Sequence, residues 1–237
     1  MTLTQRKLRH WALSRSSWKS KTALFFHCYR CRKMLRTGIF GGSFNPIHLG
    51  HTALAASVCE QGLVDEVWLM VSPQNPLKQN LELLDEDMRL AMARLAVASY
   101  PMLHACDFEF HLPRPSYTYH TLQALRRAYP DRVFSLIIGE DNWNNFHRWY
   151  RSDDILRETP IIVYPRGEDS QIVNHNPSSP LATSGSEQHL DIQVLDFPLL
   201  PYSSTEIRTL LSAGGDANYM LHPTVAQYIR QHNLYKQ

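Results

Sequence analysis

The run Gly41-Gly42-Ser43-Phe44-Asn45-Pro46-Ile47-His48-Leu49-Gly50-His51 joins a strand to a helix. Before it, Gly38-Ile39-Phe40 reads as a short apolar strand, and from Thr52 to Gln61 Ala and Leu recur at helical spacing until Gly62. Two glycines let the backbone approach a bulky anion closely. Ser43 and Asn45 add polar groups, and Pro46 fixes the turn. A helix N-terminus after a strand attracts negative charge, because its first amides are unsatisfied and its dipole is positive there. His48 and His51, three residues apart at that helix opening, face one side and extend the donor surface. The plain alternative is a corner carrying two surface histidines. The spacing is not that of a Walker loop, since no Gly-Lys-Ser/Thr follows.

Outward from this corner, strands alternate with helices. Val67–Val71, Leu103–Phe108, Val133–Ile138, Ile161–Tyr164 and Ile192–Leu195 are apolar runs of strand length. Asp85–Ser99, Thr118–Ala128, Ser204–Ser212 and Thr224–Gln231 have helical periodicity. Such alternation, with continuous rather than alternating apolar strands, predicts an α/β fold whose parallel sheet is covered on both faces. Ligands of these sheets bind beyond the carboxyl ends of the strands. The loops after Phe40, Val71, Phe108, Ile138 and Leu195 are therefore the informative ones. Residues 168–190, rich in Ser, Asn, Gln, Pro and Gly, read as a mobile surface loop.

A chain of 237 residues, 43% hydrophobic, can bury one sizeable core. No apolar run approaches the ~20 residues that span a bilayer, and nothing resembles a secretory signal peptide. A cytoplasmic protein without membrane partners is expected, with Cys28, Cys31, Cys59 and Cys106 reduced. Residues 1–33 carry nine Lys and Arg and no Asp or Glu; the other 15 cations face 22 anions, a net of −7. A body of that charge is not a general nucleic-acid binder, so any phosphates must be held by a few local cations and amides. Three readings of residues 1–33 compete. They are a targeting-like or nucleic-acid-binding arm, a half metal site at Cys28-Tyr29-Arg30-Cys31 that lacks a second ligand pair, or an extension outside the domain. The last is preferred, with Met34 a candidate start.

Four other segments carry candidate chemistry. Ser203-x-x-Glu206 is a capping box, and its amides, the Ser204 and Thr205 hydroxyls and Arg208 one turn in can hold phosphates; an ordinary capped helix is the alternative. Lys78 is a single cation on the loop after the second strand, or a plain surface lysine. Arg89, on the next helix, reads equally as a salt-bridged helix residue. Asp141, following a buried strand and Gly139, can accept ribose hydroxyls or help orient a metal. Phe146 and Trp149 lie three apart, as core or as a stacking wall. Thr118 reads as the N-cap of its helix. No nucleophile–base pair stands out.

Taken together these segments resemble the nucleotidyltransferases marked by His-x-Gly-His, specifically the bacterial nicotinate-nucleotide adenylyltransferases. Gly41–His51 resembles their Gly-Gly-x-Phe-Asn/Asp-Pro-x-His-x-Gly-His string, and Ser203–Arg208 their Ser-Ser-Thr-x-Ile-Arg. Gly139-Glu140-Asp141, then Phe146 and Trp149, resembles Gly-x-Asp and Phe-x-x-Trp; Ser116-Tyr117-Thr118, then Thr121-Leu122, resembles the Ser-Tyr-Thr segment. The likeness runs from Thr37 to Tyr235. It implies a Rossmann-like nucleotidyltransferase domain over 37–237, with about five parallel strands and helices on both faces, preceded by a basic extension over 1–36. It implies transfer of the adenylyl group of ATP to nicotinate mononucleotide in NAD biosynthesis. His48, His51 and Arg208 are then catalytic. Gly41, Gly42, Ser43, Phe44, Lys78, Gly139, Asp141, Ser203, Ser204 and Thr205 take ATP and its phosphates; Asn45, Tyr117, Thr118 and Trp149 take nicotinate mononucleotide. Mg²⁺ would arrive with ATP, without a metal site on the protein. Two departures stand out: Pro76-Leu77-Lys78 lacks the His of the family's Pro-His-Lys, and Tyr164-Pro165-Arg166-Gly167 departs from its Arg-Pro-Gly, leaving Arg166 a weak candidate near adenine. The alternatives are a nicotinamide mononucleotide, phosphopantetheine or cytidylyl transferase of the same superfamily, or a non-catalytic nucleotide- or RNA-binding protein. The oligomeric state, homo-oligomer included, stays open.

Overall fold

Six short runs rich in Val, Ile, Leu and Phe pair side by side: β1 Leu35–Gly42, β2 Glu66–Val71, β3 Leu103–Cys106, β4 Arg132–Gly139, β5 Ile161–Tyr164 and β6 Ile192–Val194. The structure is a computed structural model, and it describes residues 34–73, 83–165, 191–198 and 201–236. Every pairing is parallel, in the order β3-β2-β1-β4-β5-β6. All six runs read as strands in the sequence pair into the sheet, one more than the about five that the resemblance implies, with the three-residue β6 at the edge beside β5. Strand order reverses between β1 and β4, and such a reversal opens a crevice at the carboxyl ends. Gly41 and Gly42 of β1 and Gly139 of β4 stand there.

Between and after the strands lie α1 Leu49–Glu60, α2 Glu86–Val97, α3 Thr118–Ala128, α4 Glu140–Asn144, α5 Ser152–Glu158, α6 Ser204–Ser212 and α7 Pro223–Gln231. Successive strand residues feed opposite faces of the sheet. Phe40, Leu69 and Ile137 join one core with Leu54, Met92, Ile207 and Val225. Their neighbours Ile39, Met70 and Ile138 join a second with Leu122, Phe146 and Ile155. No described helix is long and apolar enough to cross a membrane.

Several boundaries differ from the expectation. α1 begins three residues earlier, inside the histidine motif, because His48 and not a small hydroxyl residue occupies its N-cap. β1 runs on through Gly41 and Gly42, which pair in register with Met70 and Val71. The run expected as strand to Phe108 ends at Cys106, and a 3-10 turn over Phe108–His111 follows. Tyr117, not Thr118, holds the N-cap position of α3; Thr118 is the first helical residue. α4, α5 and the 3-10 turn Phe146–Arg148 are too short to show periodicity in sequence. Residues 1–33 and 168–190 lie outside the described residues, while Leu35 and Arg36, expected in the extension, belong to β1.

Candidate active site

The site grows from the β1–α1 loop. Phe44 has a left-handed backbone (φ 45°), which turns its ring back edge-on to Phe40, at 5.7 Å, and His51, at 5.0 Å. A Cβ on Gly42 would stand 3.0 Å from that ring, so the second glycine serves the aromatic packing. A Cβ on Gly41 would meet nothing within 4 Å. The backbone N–H of His48 donates to Nδ1 of His51 at 3.2 Å, and the two rings lie 3.7 Å apart at 30°. An amide can only donate, so that Nδ1 is unprotonated and the ring proton of neutral His51 sits on Nε2. His51 is thereby an Nε2–H donor.

Donors from other elements meet the loop's carbonyls. Arg89 of α2, only 1% exposed, gives Nη1 to Ser43 O at 2.7 Å and Ser72 O at 2.8 Å, Nη2 to Pro73 O at 3.0 Å and Nε to Leu84 O at 2.9 Å. Burial pulls its pKa down, with Glu86 opposing. Arg89 thus staples loops together, where a helix salt bridge is one of its two readings. Arg208 donates to Asn45 O at 2.7 Å and Thr205 Oγ1 at 3.2 Å, and Ser204 Oγ to Pro46 O at 2.9 Å. The Tyr235 hydroxyl donates to Asn45 Oδ1 at 2.8 Å. Ser203 Oγ accepts from Glu206 N–H at 3.1 Å, the half of the expected box that starts α6.

A cavity of about 730 Å³ opens beside this loop, within the range of small-molecule sites. Gly41 to Asn45, His48 and His51 line it with Gly139, Ser203, Ser204, Thr205 and Arg208. Tyr117, Thr118 and Trp149 form part of the same wall. Lys78 and Arg166 lie outside the described residues. Asp141 is exposed on α4, next to Asn142, which lines the cavity. The chain turns helical at Glu140, and each helical residue rotates the side-chain direction by about 100°.

Glu109, absent from the sequence candidates, also lines the cavity and is 8% exposed. Its burial raises the carboxyl pKa, while hydroxyls of Thr121, at 2.9 Å, and Ser72 pull it down. It sits in Phe108-Glu109-Phe110, which reads as a strand end and gives no signal. Phe146 is buried between Trp143, at 5.5 Å, and Trp149, at 5.1 Å, and so belongs to the core. Trp149 Nε1 and Ser116 Oγ are buried without a hydrogen-bond partner among the described residues, and both residues line the cavity. Among the described residues no three His, Cys, Asp or Glu side chains cluster as a metal cage.

Residues 39–210 match the cytidylyltransferase-like family. The chain belongs to that family. Among its relatives, a protein of Bacteroides thetaiotaomicron named probable nicotinate-nucleotide adenylyltransferase is 48% identical over 198 residues, 84% of this chain and 92% of the relative. One of the same name from Flavobacterium johnsoniae is 39% identical over 202 residues, 85% and 100% of the two chains. The Plasmodium falciparum nicotinic acid mononucleotide adenylyltransferase, solved in complex with NaAD, superposes with a TM-score of 0.66 at 21% identity, over 85% of this chain and 97% of that one. This cytidylyltransferase-like chain therefore has the Rossmann-like nucleotidyltransferase fold, with six parallel strands.

Proposed function

We propose that the chain is a nicotinate-nucleotide adenylyltransferase, joining the 5′-phosphate of nicotinate mononucleotide to the α-phosphorus of ATP. A phosphate oxygen forms the new P–O bond as the bond to pyrophosphate breaks, giving nicotinate adenine dinucleotide. One observation carries this reading: a single cavity joins the histidine loop and the α6 N-terminus to the Ser116–Thr118 and Trp149 wall. Identity of 48% to the Bacteroides relative over 92% of its length supports it.

The attacking phosphate is already ionised near neutral pH, so no general base is needed. Catalysis rests on holding two polyanions in line and on donors that meet charge growing on the leaving group. His51 Nε2–H, His48 and the first amides of α6 supply those donors. Arg208 adds positive charge, though two of its nitrogens are already held by Asn45 and Thr205. Mg²⁺ would arrive bound to the triphosphate, in a cavity whose described wall carries the carboxylates Glu109 and Glu206 beside Arg148 and Arg208. Bound to the triphosphate, it shields negative charge. Ser116 Oγ and Trp149 Nε1 are buried donors that want acceptors. A pyridine carboxylate can accept from both groups. The same reading keeps residues 1–36 out of the chemistry and places the reaction in the cytoplasm.

The test is pyrophosphate release from ATP with nicotinate mononucleotide, nicotinamide mononucleotide or phosphopantetheine as acceptor, in the parent and in His51→Ala. The acid acceptor should give the highest kcat/KM. His51→Ala should lower kcat by ~100- to 1000-fold, the loss for one transition-state donor. Faster turnover with phosphopantetheine, or a His51→Ala rate near the parent's, overturns the assignment.

A further inference from the structure

A loop that binds phosphate must turn its amides toward the ligand and its carbonyls away. In the β1–α1 loop the carbonyls of Ser43, Asn45 and Pro46 are each met by a donor from elsewhere: Arg89, Arg208 and Ser204. One more tether reaches the same loop from the far end of the chain. α7 ends at Gln231, and Asn233 and Tyr235 both adopt left-handed backbone (φ 50° and 62°). Side chains rarely take that conformation without tertiary support. Leu234, buried between them, anchors the turn, and its N–H donates to Ile229 O at 3.0 Å. The result returns the Tyr235 ring to the loop, 190 residues away in sequence, where its hydroxyl donates to Asn45 Oδ1 at 2.8 Å.

We propose that Tyr235 is a positioning residue for adenylyl transfer, holding Asn45 so that the histidine loop keeps its amides turned to the phosphates. The proposal rests on the adenylyltransferase reading. Asn45 is 2% exposed and lines the cavity, while its own carbonyl takes Arg208. The Tyr235 bond therefore fixes both the side chain of Asn45 and, through its backbone, the place of Arg208. Burial pushes the phenol's pKa up, with Arg208 and Arg89 pulling the other way, so the hydroxyl remains a donor at neutral pH.

Tyr235→Phe keeps the ring and removes only the donor. Steady-state kinetics with ATP and nicotinate mononucleotide should show kcat about tenfold lower, the scale of one hydrogen bond. The melting midpoint should move by less than about 4 °C. Hydrogen exchange should speed up at the amides of residues 43–48, a readout independent of turnover. In the Asn45→Ala background, Tyr235→Phe should add nothing to the kinetic loss, because the tyrosine acts through that asparagine. Unchanged kcat, unchanged loop exchange, or an undiminished effect in Asn45→Ala overturns the proposal. If the parent transfers no adenylyl group, the functional reading fails, and with it the catalytic role of Tyr235; loop exchange then still decides whether the tyrosine holds the loop.

Discussion

Glu109 places a carboxyl group between the end of β2 and α3, where burial pushes its pKa above the ordinary value against the pull of Thr121 and Ser72. A carboxyl that binds its proton more tightly when folded contributes stability that is complete below the unfolded pKa. That contribution is lost as pH rises through the folded pKa. Glu109→Gln keeps an acceptor for Thr121 and cannot ionise. Thermal melts from about pH 4 to pH 8 should therefore show the variant gaining on the parent as pH rises. Parallel curves would mean that the buried carboxyl costs nothing. At this scale the sequence reveals chemistry only where residue types are unusual. His48, His51 and Arg208 stand out in their motifs, whereas Glu109 between two phenylalanines does not. Arg89 was visible as a cation, but its four carbonyl partners come from loops far apart in the chain.

Helix caps separate stability from binding. Ser203 caps α6 at the cavity, and Asp85 caps α2 away from it, accepting from Asp87 N–H at 2.9 Å. Replacing either with Ala should cost about 1 kcal/mol in urea unfolding, the usual worth of an N-cap. Only Ser203→Ala should also raise KM for ATP, because α6 opens on the cavity where the proposed function puts the phosphates. Equal KM values for the two variants would remove α6 from the phosphate site. The ends of α2, α3 and α6 were readable to within a residue or two, since acidic and hydroxyl caps and apolar spacing agree there. The start of α1 was not, because an imidazole pair caps it, and α4 and α5 run for only five and seven residues.

Across the whole chain, the acidic body from Leu35 onward carries the sheet, both cores and the cavity. Removing residues 1–33 should leave kcat and both KM values within about twofold of the parent, the outcome that the proposed reading of this segment as an extension of the domain requires. A large loss of turnover in that truncation would instead make the basic segment part of the enzyme. The α/β class and the parallel sheet are legible in local sequence, as are the motifs that come together on one cavity. Apolar runs of strand length alternate with periodic helices, and glycines and capping residues punctuate them, so each signal lies within a few residues of its effect. Only the tertiary structure decided that β1 sits between β2 and β4, that Glu109 lines the cavity, and that Arg89 and Tyr235 grip the histidine loop. Those outcomes depend on contacts between residues tens to hundreds of positions apart, and no local pattern encodes which distant donor a given carbonyl will meet.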